Sequence, residues 1–139
     1  MKFYQSKCSL LPGTSYDEVL LLARAAYKQF STKTRRTPYL NAKYKGYKTP
    51  KIFLDLFWTH IFQKKPRERF ERLKLYSCAL DTLRNTQTPP EAQKSFDKDI
   101  RLYRIYGVSR NGKKFCVQIK EELKTGRKYF MSVFPWNRD

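Results

Sequence analysis

The sequence predicts an α+β fold in which N-terminal helices pack on a small C-terminal antiparallel β-sheet. Three observations predict it. Apolar residues recur at helical spacing from Val19 to Phe30 and again from Phe70 to Leu83. From residue 101 onward the period drops to two, with aromatic and β-branched residues alternating between turn signals. A hydrophobic content of 40%, with 16% aromatic, gives 139 residues enough apolar area for one core and too little chain for two. The chain therefore reads as a single domain in four parts. Residues 1–50 hold a helix and a basic, tyrosine-rich segment, 51–85 are helical, 86–100 connect, and 101–136 form the sheet.

Each element has a local reason. Ser15 and Glu18 make a capping box, and the charges of Asp17 and Glu18 favour a helix N-terminus. Val19, Leu22, Ala23, Ala26, Tyr27 and Phe30 then form one apolar stripe that ends near Ser31. The stretch 33-KTRRTPYLNAKYKGYKTPK-51 lacks helical period and is punctuated by Pro38, Gly46 and Pro50. From Ile52 to Phe62 the chain is almost continuously apolar, a pattern that suits a strand or a buried helix; we read a short helix over 53–64. Pro66 suits the first turn of the next helix, over 66–85, with Phe70, Leu73, Tyr76, Leu80 and Leu83 as its buried stripe. Pro89-Pro90 marks a flexible connection over 85–99.

Strands are expected over 101–109, 113–120 and 127–134. Asn111-Gly112 reads as a two-residue hairpin turn pairing Ser109 with Lys114, and Gly126 closes a three-residue loop pairing Leu123 with Arg127. These registers put Val108 opposite Phe115, Tyr106 opposite Val117, Ile119 opposite Met131 and Val117 opposite Val133 on one apolar face. The open face then carries Cys116, Gln118, Lys120, Phe130, Ser132 and Phe134, with Gln118 opposite Ser132 and Lys120 opposite Phe130. Such a mixed, partly aromatic face is a bed for a nucleotide.

Charge points to the same class of partner. Thirty Lys and Arg against twelve Asp and Glu leave a net charge of +18, which suits a polyanion, RNA first and DNA second. Residues 33–51 carry seven basic residues and no acid. Arg35, Arg36, Lys43, Lys45 and Lys48 are candidate phosphate contacts there, and Tyr44 and Tyr47 candidate stacking platforms for unpaired bases. The same tyrosines equally suit anchoring of the loop on the core. Arg69 and Arg72 are further phosphate candidates, although Glu68 lies at helical pairing distance from Arg72. Cys8, Cys78 and Cys116 are odd in number, far apart and without a CxxC pair, so neither a zinc site nor any other metal or cofactor is expected. Three unpaired thiols suit a reducing cytoplasm. The N-terminus MKFYQSKCSLLPG lacks a signal-peptide apolar core, and 19-VLLLARAAY-27 is too short to span a bilayer, so no membrane association is expected.

The only histidine, His60, sits among Phe57, Trp58, Ile61 and Phe62. On its own that placement suits a half-buried packing residue as well as a functional one. The ending 114-KFCVQIKEELKTGRKYFMSVFPW-136, preceded by a helical segment with a lone histidine, resembles phage-encoded nucleases of the barnase/EndoU/colicin/RelE-like superfamily. The resemblance covers roughly 53–136. It implies N-terminal helices on a small antiparallel sheet, and a metal-independent endoribonuclease, often a toxin, held in check by an acidic antitoxin or immunity protein. It also implies a catalytic set of His60, Lys120 and Ser132, the last within 130-FMSVFP-135. In that set a neutral His60 would take the 2′-hydroxyl proton, since an imidazole titrates near 6.5 and surrounding cations push that value down. Lys120 would hold phosphate charge or act as the acid, and Ser132 would position a phosphate oxygen. Gln118 would orient a phosphate or a base edge, or bond across to Ser132, and Phe130 would stack on a base. The alternative expectation is a noncatalytic RNA- or DNA-binding protein using the same basic surface.

Overall fold

In the computed structural model, which describes residues 2–31 and 37–137, the first helix starts where its capping box places it. Ser15 Oγ accepts from Glu18 N at 3.2 Å and donates to Glu18 Oε1 at 3.0 Å. Helix α1 (Tyr16–Phe30) then buries Val19, Ala23 and Ala26. Three more helices follow among the described residues: α2 (Asp55–Ile61), α3 (Pro66–Lys74) and α4 (Tyr76–Asn85). The single helix expected over 66–85 is broken at Leu75. Leu73 and Leu75 are both fully buried, and two residues apart on a straight helix they would face opposite sides. The break resolves this, and the Lys74 carbonyl it frees accepts Leu11 N at 2.9 Å.

The sheet corrects the expected fold class. It is a mixed sheet of seven strands in the order β1-β5-β6-β7-β3-β2, with β4 also paired to β5. The long hairpin strands β5 (Ile100–Val108), β6 (Lys114–Glu122) and β7 (Lys128–Pro135) form its centre. Around them lie β1 (Phe3–Gln5), parallel to β5, and β3 (Lys51–Phe53), parallel to β7. The antiparallel additions are β2 (Tyr39–Asn41) on β3 and β4 (Glu91–Gln93) on β5. Strands dominate, and the small, purely antiparallel C-terminal sheet under N-terminal helices is not formed. The four added strands have three residues each, too few for a period to show. They come from stretches that read as tail, basic loop, helix start and flexible connection. By pairing with successive stretches of β5, β1 and β4 cover an edge that would otherwise invite other chains.

Both hairpins depart from the expected register by one residue at the turn. Val108 pairs with Lys114, and Gly107, not Val108, lies opposite Phe115. A two-residue type I′ turn needs a positive φ at both central residues, but Asn111 has none and only Gly112 (φ +90) does. The chain instead makes a three-residue loop, with Gly112 N bonded to Ser109 O at 2.9 Å and Ser109 N to Lys113 O at 2.8 Å. Gly107 pins the register, because a Cβ there would stand 2.5 Å from the Phe115 ring. In the second hairpin Glu122 N bonds to Arg127 O at 2.9 Å, so the loop is one residue longer than expected. A bulge between Gln118 and Ile119 absorbs the slip: Gln118 still pairs with Ser132 and Val117 with Val133, but Ile119 pairs with Phe130 and Lys120 with Tyr129.

The core lies between the helices and one sheet face. Phe57 of α2 stacks on Phe130 at 4.8 Å and meets Tyr76 of α4 at 4.9 Å, with Ile105, Val117 and Val133 continuing the layer across three strands. Asp81 of α4 is buried and ties in β1 and the residues after it. It accepts from Ser6 Oγ (2.7 Å), Lys7 N (3.0 Å), Asn85 Nδ2 (2.7 Å) and Tyr4 Oη (3.4 Å). No helix among the described residues is long and apolar enough to cross a membrane. Asp81→Ala is expected to lower the unfolding free energy by about 2–4 kcal/mol in denaturant titration, because it leaves buried donors without an acceptor. Tyr4→Phe, which removes only the longest of the four bonds, is expected to cost under about 1 kcal/mol.

Candidate functional site

Helix α2 buries Phe57, Trp58 and Ile61, and this fixes the orientation of the one histidine between them. His60 is half-buried in the last turn of α2. The turn that follows, with Gln63 N bonded to His60 O and Lys64 N to Ile61 O, both at 3.1 Å, brings Lys64 back beside it. Arg69 secures this turn by donating from Nη2 to Lys64 O at 3.1 Å, its guanidinium packed near Tyr16 and Phe62. Arg69 therefore supports the turn and does not line the cleft beside it. Helices α2 and α3 both pack against β7, whose pairing with β3 is limited to Lys128 and Tyr129.

Across the sheet, Arg104, Gln118 and Ser132 occupy directly opposite positions on β5, β6 and β7. They stand in one row on one face. His60, Lys64 and Arg72 close a cleft of about 300 Å³ over this row, with Met131 and Phe134 as its apolar walls. The structure thus brings together four of the residues singled out in the sequence: His60, Arg72, Gln118 and Ser132. Arg72 Nη1 donates to Ser132 Oγ at 2.6 Å, with the guanidinium 5.5 Å from the Phe134 ring centre and Nη2 3.9 Å from Glu68 Oε2. Its side chain is only 17% exposed, so this cation is held in one place and partly stripped of water. Arg104 lies over Phe134 and Trp136, and its buried Nε has no hydrogen-bond partner. No carboxylate is among the residues that line the cleft.

This environment acts on His60. Burial pulls its pKa below the ordinary 6.5, and the charges of Lys64 and then Lys120 pull it in the same direction. The imidazole is therefore uncharged at neutral pH. Lys120 does not line the cleft. It stands two residues along β6 from Gln118 on the same face, opposite Leu102 and Tyr129, and reaches His60 through its field. Ser132 is buried, with Arg72 as its donor.

Phe130 is a correction. It was expected on the open face, yet it is fully buried against Phe57 and Tyr76 and cannot stack on a base. The bulge explains this: Met131 is the extra residue, so Phe130 and Ser132, two apart in sequence, point to different faces. The tyrosine-rich segment is also placed elsewhere. Tyr44, Tyr47 and Lys48 line a second cleft of about 350 Å³ with Glu121 and Lys128, residues that alternate with Lys120 and Tyr129 and so project from the other face. Lys43 and Lys45 are exposed and line neither cleft, and Arg35 and Arg36 lie outside the described residues.

Sequence reasoning missed Lys64, Arg104 and Met131, whereas Phe134 lies beside Gln118 and Ser132 as expected of the open face. Arg104 was hidden by the hairpin register, since the expected pairing put it opposite Ile119 on the apolar face. An arginine inside an apolar row was itself a signal that the register was one residue off. Among the described residues no three His, Cys, Asp or Glu side chains gather where they could hold a metal ion. Compared with models of protein families, with curated proteins and with solved structures, this chain matches none of them.

Proposed function

We propose that the His60 cleft is the active site of a metal-independent endoribonuclease. The observation that carries this reading is an uncharged imidazole that shares a cleft with Lys64, Arg72 and Arg104, in a lining that has no carboxylate. His60 accepts the proton of a ribose 2′-hydroxyl as O2′ attacks the adjacent phosphorus. Arg72, steadied by Ser132, and Arg104 hold the charge that grows on the non-bridging oxygens. The bond to the 5′-oxygen breaks, and that oxygen takes a proton from the Lys64 ammonium. The products are a 2′,3′-cyclic phosphate and a 5′-hydroxyl end. Gln118, beside Arg104 and Ser132 in the row, orients the phosphate or the base edge. Lys120 supports the field from the rim.

The local resemblance of the His60 segment and the last strand to the barnase/EndoU/colicin/RelE-like nucleases points to the same chemistry through residues rather than architecture. A ribonuclease with a charge of +18 would be restrained by an acidic antitoxin or immunity protein that covers its cations. The unpaired Cys8, Cys78 and Cys116 favour a cytoplasmic setting.

Incubated with RNA in chelator-containing buffer, the protein is expected to leave 2′,3′-cyclic phosphate ends, visible by mass spectrometry of the fragments. His60→Ala is expected to slow cleavage by about 100-fold or more, and Arg72→Ala by a similar factor. Intact RNA after hours, or an alanine variant at position 60 that cuts like the wild type, would leave a noncatalytic binder instead.

The pH profile supplies a separate check. A base must be unprotonated, so kcat/KM is expected to rise with pH through the His60 pKa and to level off above it. Burial, Lys64 and Lys120 place that rise below 6.5. Lys64→Gln removes a cation and should move the acid limb upward toward 6.5 in a series of initial rates. An unmoved limb would mean that another group sets it.

A further inference from the structure

The cleft on the other face of the sheet contains a charge that the proposed chemistry does not use. Lys128 is only 2% exposed, yet it belongs to the wall of this cleft. Its ammonium donates to Thr49 O at 2.7 Å and to Thr49 Oγ1 at 3.4 Å, and lies 4.9 Å from the centre of the Tyr47 ring. Among the described residues it forms no ion pair with a carboxylate. A cation taken out of water is costly; Glu121, opposite it across β6 and β7, acts on it only through its field, and an anion in the cleft would add direct contact. Lys48 and Arg101 add two more cations to the same wall.

The rest of the lining suits the other parts of a nucleotide. Tyr44 and Tyr47 meet edge to face at 4.9 Å, and the half-buried Tyr44 gives the cleft an aromatic wall. Tyr47 Oη is buried without a hydrogen-bond partner. Tyr103 Oη donates to Glu121 Oε1 at 2.9 Å, which holds that carboxylate in place beside the cleft. A fixed carboxylate accepts from an exocyclic amino group, as on cytosine. The size of about 350 Å³ falls within the range of small-molecule sites.

We propose that this cleft is a second nucleotide site that binds one unpaired, amino-bearing nucleotide away from the scissile position. Its phosphate lies at Lys128, Lys48 and Arg101, its base against Tyr44, and its amino edge at Glu121. The inference rests on reading the chain as a binder of single-stranded RNA and extends that reading to a residue-level subsite. Burial pushes the Lys128 pKa down while Glu121 pushes it up, consistent with an ammonium that gains from an added anion.

The test is a titration of the full chain with cytidine 5′-monophosphate, followed by backbone amide shifts. Shifts are expected at Thr49, Tyr103 and Glu121. Tyr44→Ala and Lys48→Ala are each expected to weaken that response several-fold, and Lys128→Met about tenfold or more; the first two change side chains outside the core and keep the test valid if the third does not fold. Shifts confined to Gln118 and Ser132 would overturn the second site while leaving the nuclease reading intact. Inorganic phosphate binding as tightly as the nucleotide would overturn the assignment to a nucleotide. Shifts at Thr49 and Glu121, in a protein that fails to cleave RNA, would support the second site and remove the nuclease reading.

Discussion

Over three residues β7 has to satisfy two demands that a regular strand cannot meet together. Phe130 must enter the core, where it stacks on Phe57 and closes the layer formed by Tyr76, and Ser132 must face away from that core to receive Arg72. With a period of two, residues 130 and 132 would share a face. The extra residue at Met131 separates them, and everything in the cleft depends on that separation. It aligns Ser132 with Gln118 and Arg104, lets α2 dock through Phe57, and so fixes where His60 ends up. The constraint is one of packing, and the geometry of the cleft follows from it.

What the sequence made legible follows how local each signal is. The start of α1 is written in four consecutive residues and came out as read, because a capping box is satisfied entirely by its own turn. The three long strands of the hairpins were legible because eight or nine residues show a period. Register was less legible. Asn111-Gly112 has the composition of a tight turn, but the choice between two and three loop residues rests on the contact of Gly107 with Phe115, which is not local. That single slip moved Arg104 to the wrong face on paper. The three-residue strands were invisible because they exist only by pairing with edges built elsewhere in the chain, and with them went the fold class. The meeting of His60 with Ser132 was suggested by resemblance and not by periodicity, and Arg72 entered it through a long-range bond that spacing does not encode.

One short strand, β3, shapes the surroundings of the site in a way that a longer one would not. Were β3 longer, it would pair with β7 through Ser132 and occupy the space taken by the helices. Because the pairing stops at Tyr129, α2 and α3 can lie against the rest of β7 and bring His60, Lys64 and Arg72 over the row of Arg104, Gln118 and Ser132. A cleft between helices and a sheet thus arises from the early end of a parallel pair.

Net charge alone does not distinguish the two clefts, since both are basic; the placement of the few carboxylates does. The His60 cleft has none in its lining, and Glu68 approaches only the outer side of the Arg72 guanidinium. Anionic charge that grew there would meet Arg72, already oriented by Ser132, with no carboxylate in the lining itself, a condition under which fixed charges lower a barrier. The Lys128 cleft has Glu121 held by Tyr103, so its positive field is partly offset and its polar groups are of both kinds. A wall that includes a fixed carboxylate acceptor discriminates among base edges by their amino groups, whereas a wall whose only charges are cations favours the phosphate. On these grounds the proposed cleavage at phosphorus is assigned to the face with His60, and the proposed nucleotide site to the opposite face.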